Sequence, residues 1–331
     1  MTELQTAISL SVIVPCYNVE RYLDKSLQCL ERQWGNRTDY EMIFINDASR
    51  DGTIGKLNEF RSRHPEHVIV IDKQQNEGVS AARNSGIENA RGAWSTFFDP
   101  DDVLTEGGYE HLLALTEQGT FDILRFGVEV VAEGKEISST ALTKPLTIDW
   151  QGTSVEYLLD NSFGTCWSYL FRRDLLANHR FPPLSICEDT VFNLSILLEN
   201  KSMARSLGTV YYYMVRPSSA TTTINASRLN KHCDDIYKAI NILEDFKNGQ
   251  SEVVQKRLMK HQRIFGTNLL TRLLLSDKPV TDIKQLVAGL RKVALFPLPD
   301  GDLMSRLMNA AFGHLWLLPV LRPLYRLYRN R

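Results

Sequence analysis

LSVIVPCYNVERYLDKSLQCLERQWGNRTDYEMIFIND, residues 10–47, is the stretch on which the fold turns. LSVIV (10–14) and YEMIFI (40–45) are short apolar runs; between them, near 19–33, Tyr22, Leu23, Leu27 and Leu30 recur at three- and four-residue spacing. The pattern continues outward, with helical spacing near 51–63 and 78–90 alternating with VIVI (68–71) and STFF (95–98). Strand-helix alternation of this kind makes a parallel sheet with helices on its faces. Strands that are apolar throughout, not at alternate positions, suit burial on both faces. In such sheets ligands bind beyond the carboxyl ends of the strands, where loops and helix N-termini converge. The polar clusters fall at those ends: PCYN (15–18), NDASRDGT (46–53) and DPDD (99–102).

Acids dominate these clusters. Asp47 follows the second strand, where a carboxylate can accept the ring N–H of a uracil or thymine base, or serve as a turn residue. Asp51 is read as a helix cap. In QNEGVSAARNSGIENARG (75–92), Gly78 and Ser80 open a helix and Arg83 and Asn84 stand just inside it. Helix amides and an arginine suit an anion; the plainer account has Ser80 capping and Arg83 solvated. At WSTFFDPDD (94–102), Asp99, Asp101 and Asp102 follow a strand with only Pro100 among them. Enclosed and unpaired they would repel one another and lose solvation, so either water or a cation joins them. Asp99 and Asp101, two apart, face the same way in an extended backbone and can converge on one hard cation such as Mg²⁺ or Mn²⁺. An EF-hand reading of DPDDVLTEGGYE fails because Leu104 stands where that loop requires glycine. Asp102 is expected to cap the next helix. Glu188 and Asp189, in ICEDTVFNLSILL (186–198), open an amphipathic helix, where carboxylates either complement the dipole or act as a general base.

A chain of 331 residues suits one large α/β domain plus an appendage, or two domains. With 43% hydrophobic and 23% charged residues and a formal net charge of −1, it gives no reason to expect nucleic acid as a partner. Its five cysteines are scattered and form no CxxC pair, so a zinc site or disulfide framework is not indicated and a reducing cytoplasm is expected. The N-terminus shows no basic n-region or cleavage-like site, and no run reaches the ~18 apolar residues that span a bilayer. VPCYN lacks the glycines of a dinucleotide-binding turn, and a P-loop is absent. From 121 to 150 longer β-like runs, including FDILRFGVEVV, suggest a mixed extension of the sheet, followed by TCWSYLFRR and YYYMV (211–215). Beyond about 226 the chain reads as helical, with DDIYKAINILEDF and RIFGTNLLTRLLL.

Taken in order, VPCYN, NDASRDGT, NEGVSAARNSGI with FFDPDD, CEDTVF and YYYMVRPSSATT resemble the bacterial family 2 glycosyltransferases over about residues 8–224. The resemblance implies an α/β GT-A fold: a Rossmann-like, mostly parallel mixed sheet flanked by helices, here with a helical C-terminal extension. The catalytic domain would occupy 1–225, with a nucleotide-sugar half at about 8–102 and an acceptor half at about 103–225, and the helical region 226–331. The implied activity is inverting and metal-dependent, using Mn²⁺ or Mg²⁺. It moves a hexose or N-acetylhexosamine from a UDP-sugar to a hydroxyl of a lipid-linked glycan in O-antigen, capsule or exopolysaccharide biosynthesis. The implied location is the bacterial cytoplasm, at the inner face of the membrane. By the same resemblance Pro15, Tyr17, Asn18, Glu20 and Asn76 border the nucleotide and Asp47 contacts the base. Arg83 lies near the uridine, Asp99 is the ribose-side acid, Asp101 is the metal ligand of a DxD motif, and Asp189, beside Glu188, matches the catalytic base. The second-strand motif commonly reads DDGS; here Asn46 replaces its first acid and Ala48 its glycine.

Two other readings are weaker. A sugar nucleotidyltransferase would need a glycine-rich loop bearing Arg and Lys after the first strand, which VPCYN does not supply. A non-catalytic glycan-binding protein would not need intact Asp101 and Asp189. The tail is separate: Leu303 to Arg331 contains no Asp or Glu but five arginines, Arg306, Arg322, Arg326, Arg329 and Arg331, interleaved with Trp316, Leu317, Leu321, Leu324, Tyr325 and Tyr328. That composition suits either a membrane interface or a helix packed on the protein, and Pro319 and Pro323 argue against one long helix.

Overall fold

The computed structural model describes residues 7–132, 134, 135, 137, 140–142, 145–216, 226–299 and 303–329, with only the backbone of 226, 328 and 329. Strand β1 (Leu10–Cys16) is buried at every position, because it has a parallel neighbour on each side. After it come α1 (Glu20–Glu31), β2 (Tyr40–Asn46), α2 (Thr53–Arg63), β3 (Val68–Asp72), α3 (Val79–Asn89) and β4 (Trp94–Phe97). Each lies where the apolar runs and helical spacing put it. β2, between two strands, is also buried throughout, whereas β3 at the sheet edge is not.

The chain continues through β5 (Val103–Leu104), α4 (Gly108–Gln118), β6 (Ile123–Val131), β7 (Ile148–Thr153), α5 (Ser154–Asp160), β8 (Tyr169–Arg172), α6 (Arg173–Leu176), α7 (Glu188–Leu197) and β9 (Ser202–Met214). The described residues form a nine-stranded sheet ordered β3-β2-β1-β4-β8-β6-β9-β5, with β7 paired to β9. β3, β2, β1 and β4 run parallel, and β8 is antiparallel to its neighbours β4 and β6. The mixed extension expected after residue 121 is this second half. Chain order runs outward from β1 to β3 and then resumes at β4 on the other side of β1. That reversal is the switch point where two loops diverge and leave a crevice. Leu10 pairs with Tyr40 and Cys16 with Asn46, so the β1 and β2 ends are level and their loops meet.

Phe97, Phe181 and Phe192 pack as one aromatic cluster: Phe181 stacks on Phe192 at 3.8 Å, and Phe97 meets each edge-on at 5.2 and 5.8 Å. All three are buried, and burying a phenyl ring contributes roughly 1.5–3 kcal/mol. The cluster ties the later part of α7 to β4.

Contacts divide the chain into two units, Met1–Pro183 with Phe192–Ser219, and Leu184–Val191 with Ala220–Arg331. The second unit therefore includes the segment carrying Glu188 and Asp189; the boundary expected at 225 falls outside the described residues. Its helices are α8 (Ala226–Phe246), α9 (Glu252–Leu275), α10 (Val280–Lys292), α11 (Leu303–Gly313) and α12 (Leu318–Arg329). Ser251 caps α9 by accepting the Val254 N–H. The buried Gln262 amide of α9 donates to the Ile240 carbonyl and to Glu244 of α8, at 3.0 and 2.9 Å.

As expected, the segment is not one long helix, but the break between α11 and α12 precedes both prolines and α12 runs through them. Pro319 sits in the first turn, where an amide has no helical partner. The amide missing at Pro323 would have bonded only the carbonyl of residue 319, in that same turn. Arg331 lies outside the described residues, as do the side chains of Tyr328 and Arg329 and the motif residues 217–222.

Candidate active site

Three strand-end loops gather at the switch point. The loops after β1 and β2 are stitched together by side chains. Asn18, at φ +52°, donates its backbone N–H to Ser49 Oγ at 3.0 Å, and its side-chain carbonyl accepts the Arg50 N–H at 2.8 Å. Glu20 accepts the Gly52 N–H at 2.8 Å. Asp51 accepts the Glu20 and Thr53 N–H groups at 3.2 and 3.1 Å, satisfying the open amides at the starts of α1 and α2, so it acts as the cap expected of it. Of the residues named for the nucleotide border, Pro15 lies within β1, level with Ile45 of β2, and Tyr17 is 45% exposed at the crevice.

Ala48 occupies the position at which the family motif commonly has glycine, and its φ is +55°. In that left-handed region a Cβ is strained by about 1 kcal/mol, which glycine avoids. Asn46 donates to Asp72 Oδ1 at 2.7 Å and accepts the Ser49 N–H at 3.3 Å, so the amide that replaces the family's acid has a carboxylate for its partner.

Asp47 is buried, and both its oxygens accept backbone amides: Glu77 N–H at 3.0 Å and Gly78 N–H at 2.8 Å. The Asn76 amide donates to the Asp47 carbonyl at 3.1 Å. Asp47 and Asn76 thus clamp the loop that leads into α3. Each carboxylate oxygen keeps one lone pair.

Arg83, on α3, is buried. It donates to Asp99 at 3.1 Å, and its guanidinium lies 5.3 Å from the Phe181 ring centroid. The neighbouring Asn84 bonds both the amide and the carbonyl of Phe181, at 2.8 and 2.9 Å, which holds that ring in place.

After β4 the backbone is not extended. The Asp102 N–H bonds the Asp99 carbonyl at 3.0 Å and closes a turn around Pro100, a residue pre-set for such a position. The extended backbone from which Asp99 and Asp101 were expected to face one way is therefore absent, and each carboxylate has an arginine of its own. Asp99 pairs with Arg83, and Asp101 makes an ion pair with Arg216. Burial and the neighbouring Asp99 push the Asp101 carboxyl upward, with Arg216 opposing. Asp102 does not cap a helix either, since α4 begins only at Gly108. It is buried, accepts the Tyr211 hydroxyl at 2.7 Å and the Met214 N–H at 2.8 Å, and so pins the end of β9. Burial, then Asp101 and Asp99, push its carboxyl up to about 8. With its carboxyl raised to about 8, Asp102 is mostly protonated at neutral pH, so Asp99 and Asp101 carry the charge of the turn and each has an arginine beside it.

Arg216 and Tyr211 are the residues here that sequence reasoning missed. Tyr211 lies under Trp167, with ring centroids 4.2 Å apart, and its hydroxyl also accepts the Asp99 N–H at 3.2 Å. The Arg216 guanidinium sits 4.5 Å from the Tyr22 ring centroid. The signal was available: YYYMVR puts an arginine directly after an aromatic strand. Its meaning depends on β9 returning beside the β4 loop, through β5 paired with Tyr211 and Tyr212.

Glu188 and Asp189 form the first turn of α7, as expected, and both are half-buried. Cys187 just before them has φ +66°, and its thiol is pushed up to about 12 by burial and the adjacent carboxylates, which leaves it protonated. In the same unit Asp235 holds the preceding loop through the backbone and hydroxyl of Ser185, at 2.9 and 2.6 Å. The described residues contain no cluster of three or more metal-ligating side chains. None of their helices is long and apolar enough to cross a membrane.

The minor teichoic acid biosynthesis protein GgaB of Bacillus subtilis (strain 168) is 29% identical over 265 residues, covering 76% of this chain but only 28% of that protein. The uncharacterized glycosyltransferase EpsJ of the same organism is 30% identical over 240 residues, 69% of this chain and 67% of EpsJ. In three dimensions, the crystal structure of S. aureus TarS 1–349 in complex with UDP-GlcNAc superposes with a TM-score of 0.61 at 19% identity, covering 98% of this chain and 92% of that one. At that identity the likeness is one of fold, and it agrees with the GT-A architecture expected from the motifs. The sequence profile of Glycosyl transferase family 2 matches residues 11–179, which is half of the chain and contains the whole β1–β4 crevice. The chain belongs to glycosyl transferase family 2.

Proposed function

We propose that this protein is an inverting, metal-dependent glycosyltransferase that moves a hexose or N-acetylhexosamine from a UDP-sugar to a hydroxyl of a lipid-linked glycan. The product would be a cell-surface polysaccharide. The observation that carries the proposal is the acidic turn, Asp99 to Asp102, held by Arg83 and Arg216 at the switch point of the sheet. The UDP-GlcNAc held by the TarS structure supports the donor class, and the part of GgaB in minor teichoic acid biosynthesis supports a cell-surface product. With such an acceptor the reaction would take place at the cytoplasmic face of the membrane.

The uridine would lie over the stitched β1 and β2 loops, bordered by Pro15, Tyr17, Asn18 and Glu20, with Asp47 and Asn76 shaping the base end. Arg83 would steady Asp99 on the ribose side. The acidic turn fits a bound Mn²⁺ or Mg²⁺. Its donors are hard carboxylate oxygens, and such ions take one or two protein carboxylates plus substrate phosphates, not a full protein cage. Asp101 would hold the ion, which when bound screens the charge that grows on the leaving diphosphate. Asp189 would take the proton from the acceptor hydroxyl as that oxygen attacks the anomeric carbon from the face opposite the diphosphate. Glu188 would keep the local field negative.

Release of UDP from a panel of UDP-sugars, with and without Mn²⁺, tests the reading. One donor should be turned over, and Asp101→Ala and Asp189→Asn should each lose about a thousandfold or more in kcat. Full turnover in either variant would remove that residue from its role. Turnover unaffected by chelation would remove the metal.

A further inference from the structure

Helix α12 turns Leu318, Arg322 and part of Arg326 to the protein and leaves an apolar stripe in solvent. Trp316, Pro319, Val320, Pro323, Leu324 and Leu327 recur at three- and four-residue spacing and make one stripe, and all are exposed. Trp316 is 76% accessible and Leu327 67%. On another side of the helix Arg322 donates to the Leu273 and Lys278 carbonyls at 3.1 and 2.9 Å, and Arg326 to the Ser276 carbonyl and Asp277 at 2.6 Å each. These carbonyls close the C-terminus of α9, where arginine is the natural partner of unpaired oxygens and of the dipole. In the preceding helix Met308, Ala311 and Phe312 of α11 point inward, while Leu303, Arg306 and Leu307 stay exposed.

We propose that this face of α11 and α12 lies in the headgroup region of an anionic membrane. Charge and shape single out that occupant. No Asp or Glu occurs from 303 to 331, so the apolar stripe, an exposed tryptophan and Arg306 meet a surface with no carboxylate to repel anionic lipid. A symmetric contact with a second copy would set the Arg306 of each against a face to which α11 and α12 contribute no carboxylate. None of the described helices, α12 included, is long and apolar enough to cross a membrane. The inference uses only the second unit and stands apart from the donor reading. Loss of lipid binding with intact UDP release, or the reverse, distinguishes failure of one from failure of the other.

The test is cosedimentation of the full chain with phosphatidylglycerol–phosphatidylcholine vesicles and with phosphatidylcholine alone. Binding is expected to the anionic vesicles, with a blue shift in tryptophan emission that Trp316→Phe removes. The double variant Trp316→Glu/Leu324→Glu should bind about tenfold or more weakly while its thermal unfolding stays unchanged, since both side chains are exposed. Arg306→Gln should weaken binding to anionic vesicles only. The proposal is overturned if the chain ignores anionic vesicles, if it binds both compositions equally, or if the double variant binds as the parent does. It is equally overturned if sizing reveals a concentration-dependent dimer that the double variant abolishes.

Discussion

Both ends of the sheet bury carboxylates, and they treat them in opposite ways. At the amino end Glu41 of β2 is fully buried and fully answered: it accepts the Ser11 hydroxyl at 2.7 Å, the Arg91 N–H at 2.6 Å and the Arg91 guanidinium at 2.7 Å. Gly92 comes so close to β1 there that an added Cβ would lie 2.5 Å from the Ser11 nitrogen, so its own amide reaches Ser11 Oγ at 2.8 Å. At the carboxyl end Asp99 and Asp101 each pair with an arginine, and the Asp101 and Asp102 carboxyls are pushed upward by burial and by their acidic neighbours. A charge that is completely paired is architecture. Carboxyls crowded and buried at a loop crevice until their protonation is shifted mark a candidate ligand site.

Removing one acid from each end separates these roles most sharply. Glu41→Ala leaves Ser11 and the Arg91 amide without their acceptor, and should cost about 2–4 kcal/mol of stability while the activity of the folded fraction is unchanged. Urea unfolding followed by UDP release at low temperature reads both. Asp101→Asn should do the reverse: the folded state keeps its stability or gains about 1 kcal/mol, because a repelling buried charge is gone, while turnover collapses. If Asp101→Asn unfolded the protein and Glu41→Ala did not, the contrast between the ends would be broken.

Two smaller changes probe the β2 loop. Asn46→Asp would set a second carboxylate 2.7 Å from Asp72 in place of the donating amide, and should lower stability by about 1 kcal/mol in chemical denaturation. Ala48→Gly should raise it by up to about 1 kcal/mol, since the left-handed φ of +55° then carries no Cβ penalty. A loss of stability on Ala48→Gly would mean that the loop relies on the alanine side chain.

Much of this was legible in the chain alone. Apolar runs and helical spacing are local properties, each visible within a few residues, so β1 to β4 with their three helices and the crevice at their ends followed directly. The ordered motifs supplied the family, and the acidic clusters marked which strand ends matter. The extent of β9 was less legible: YYYMV marked its end, but the strand starts at Ser202, where polar residues break the apolar run.

What only tertiary structure decided is which charge meets which. Arg83 reaches Asp99 across 16 residues and Tyr211 reaches Asp102 across 109, and no periodicity encodes such separations. The turn at Pro100 parted Asp99 from Asp101, and the return of β9 took Asp102 away from the helix it was expected to cap. The same holds for α12. Its sequence interleaves arginines with apolar residues, but which of them turned inward depended on the carbonyls at the end of α9, a demand set by a helix some fifty residues earlier in the chain.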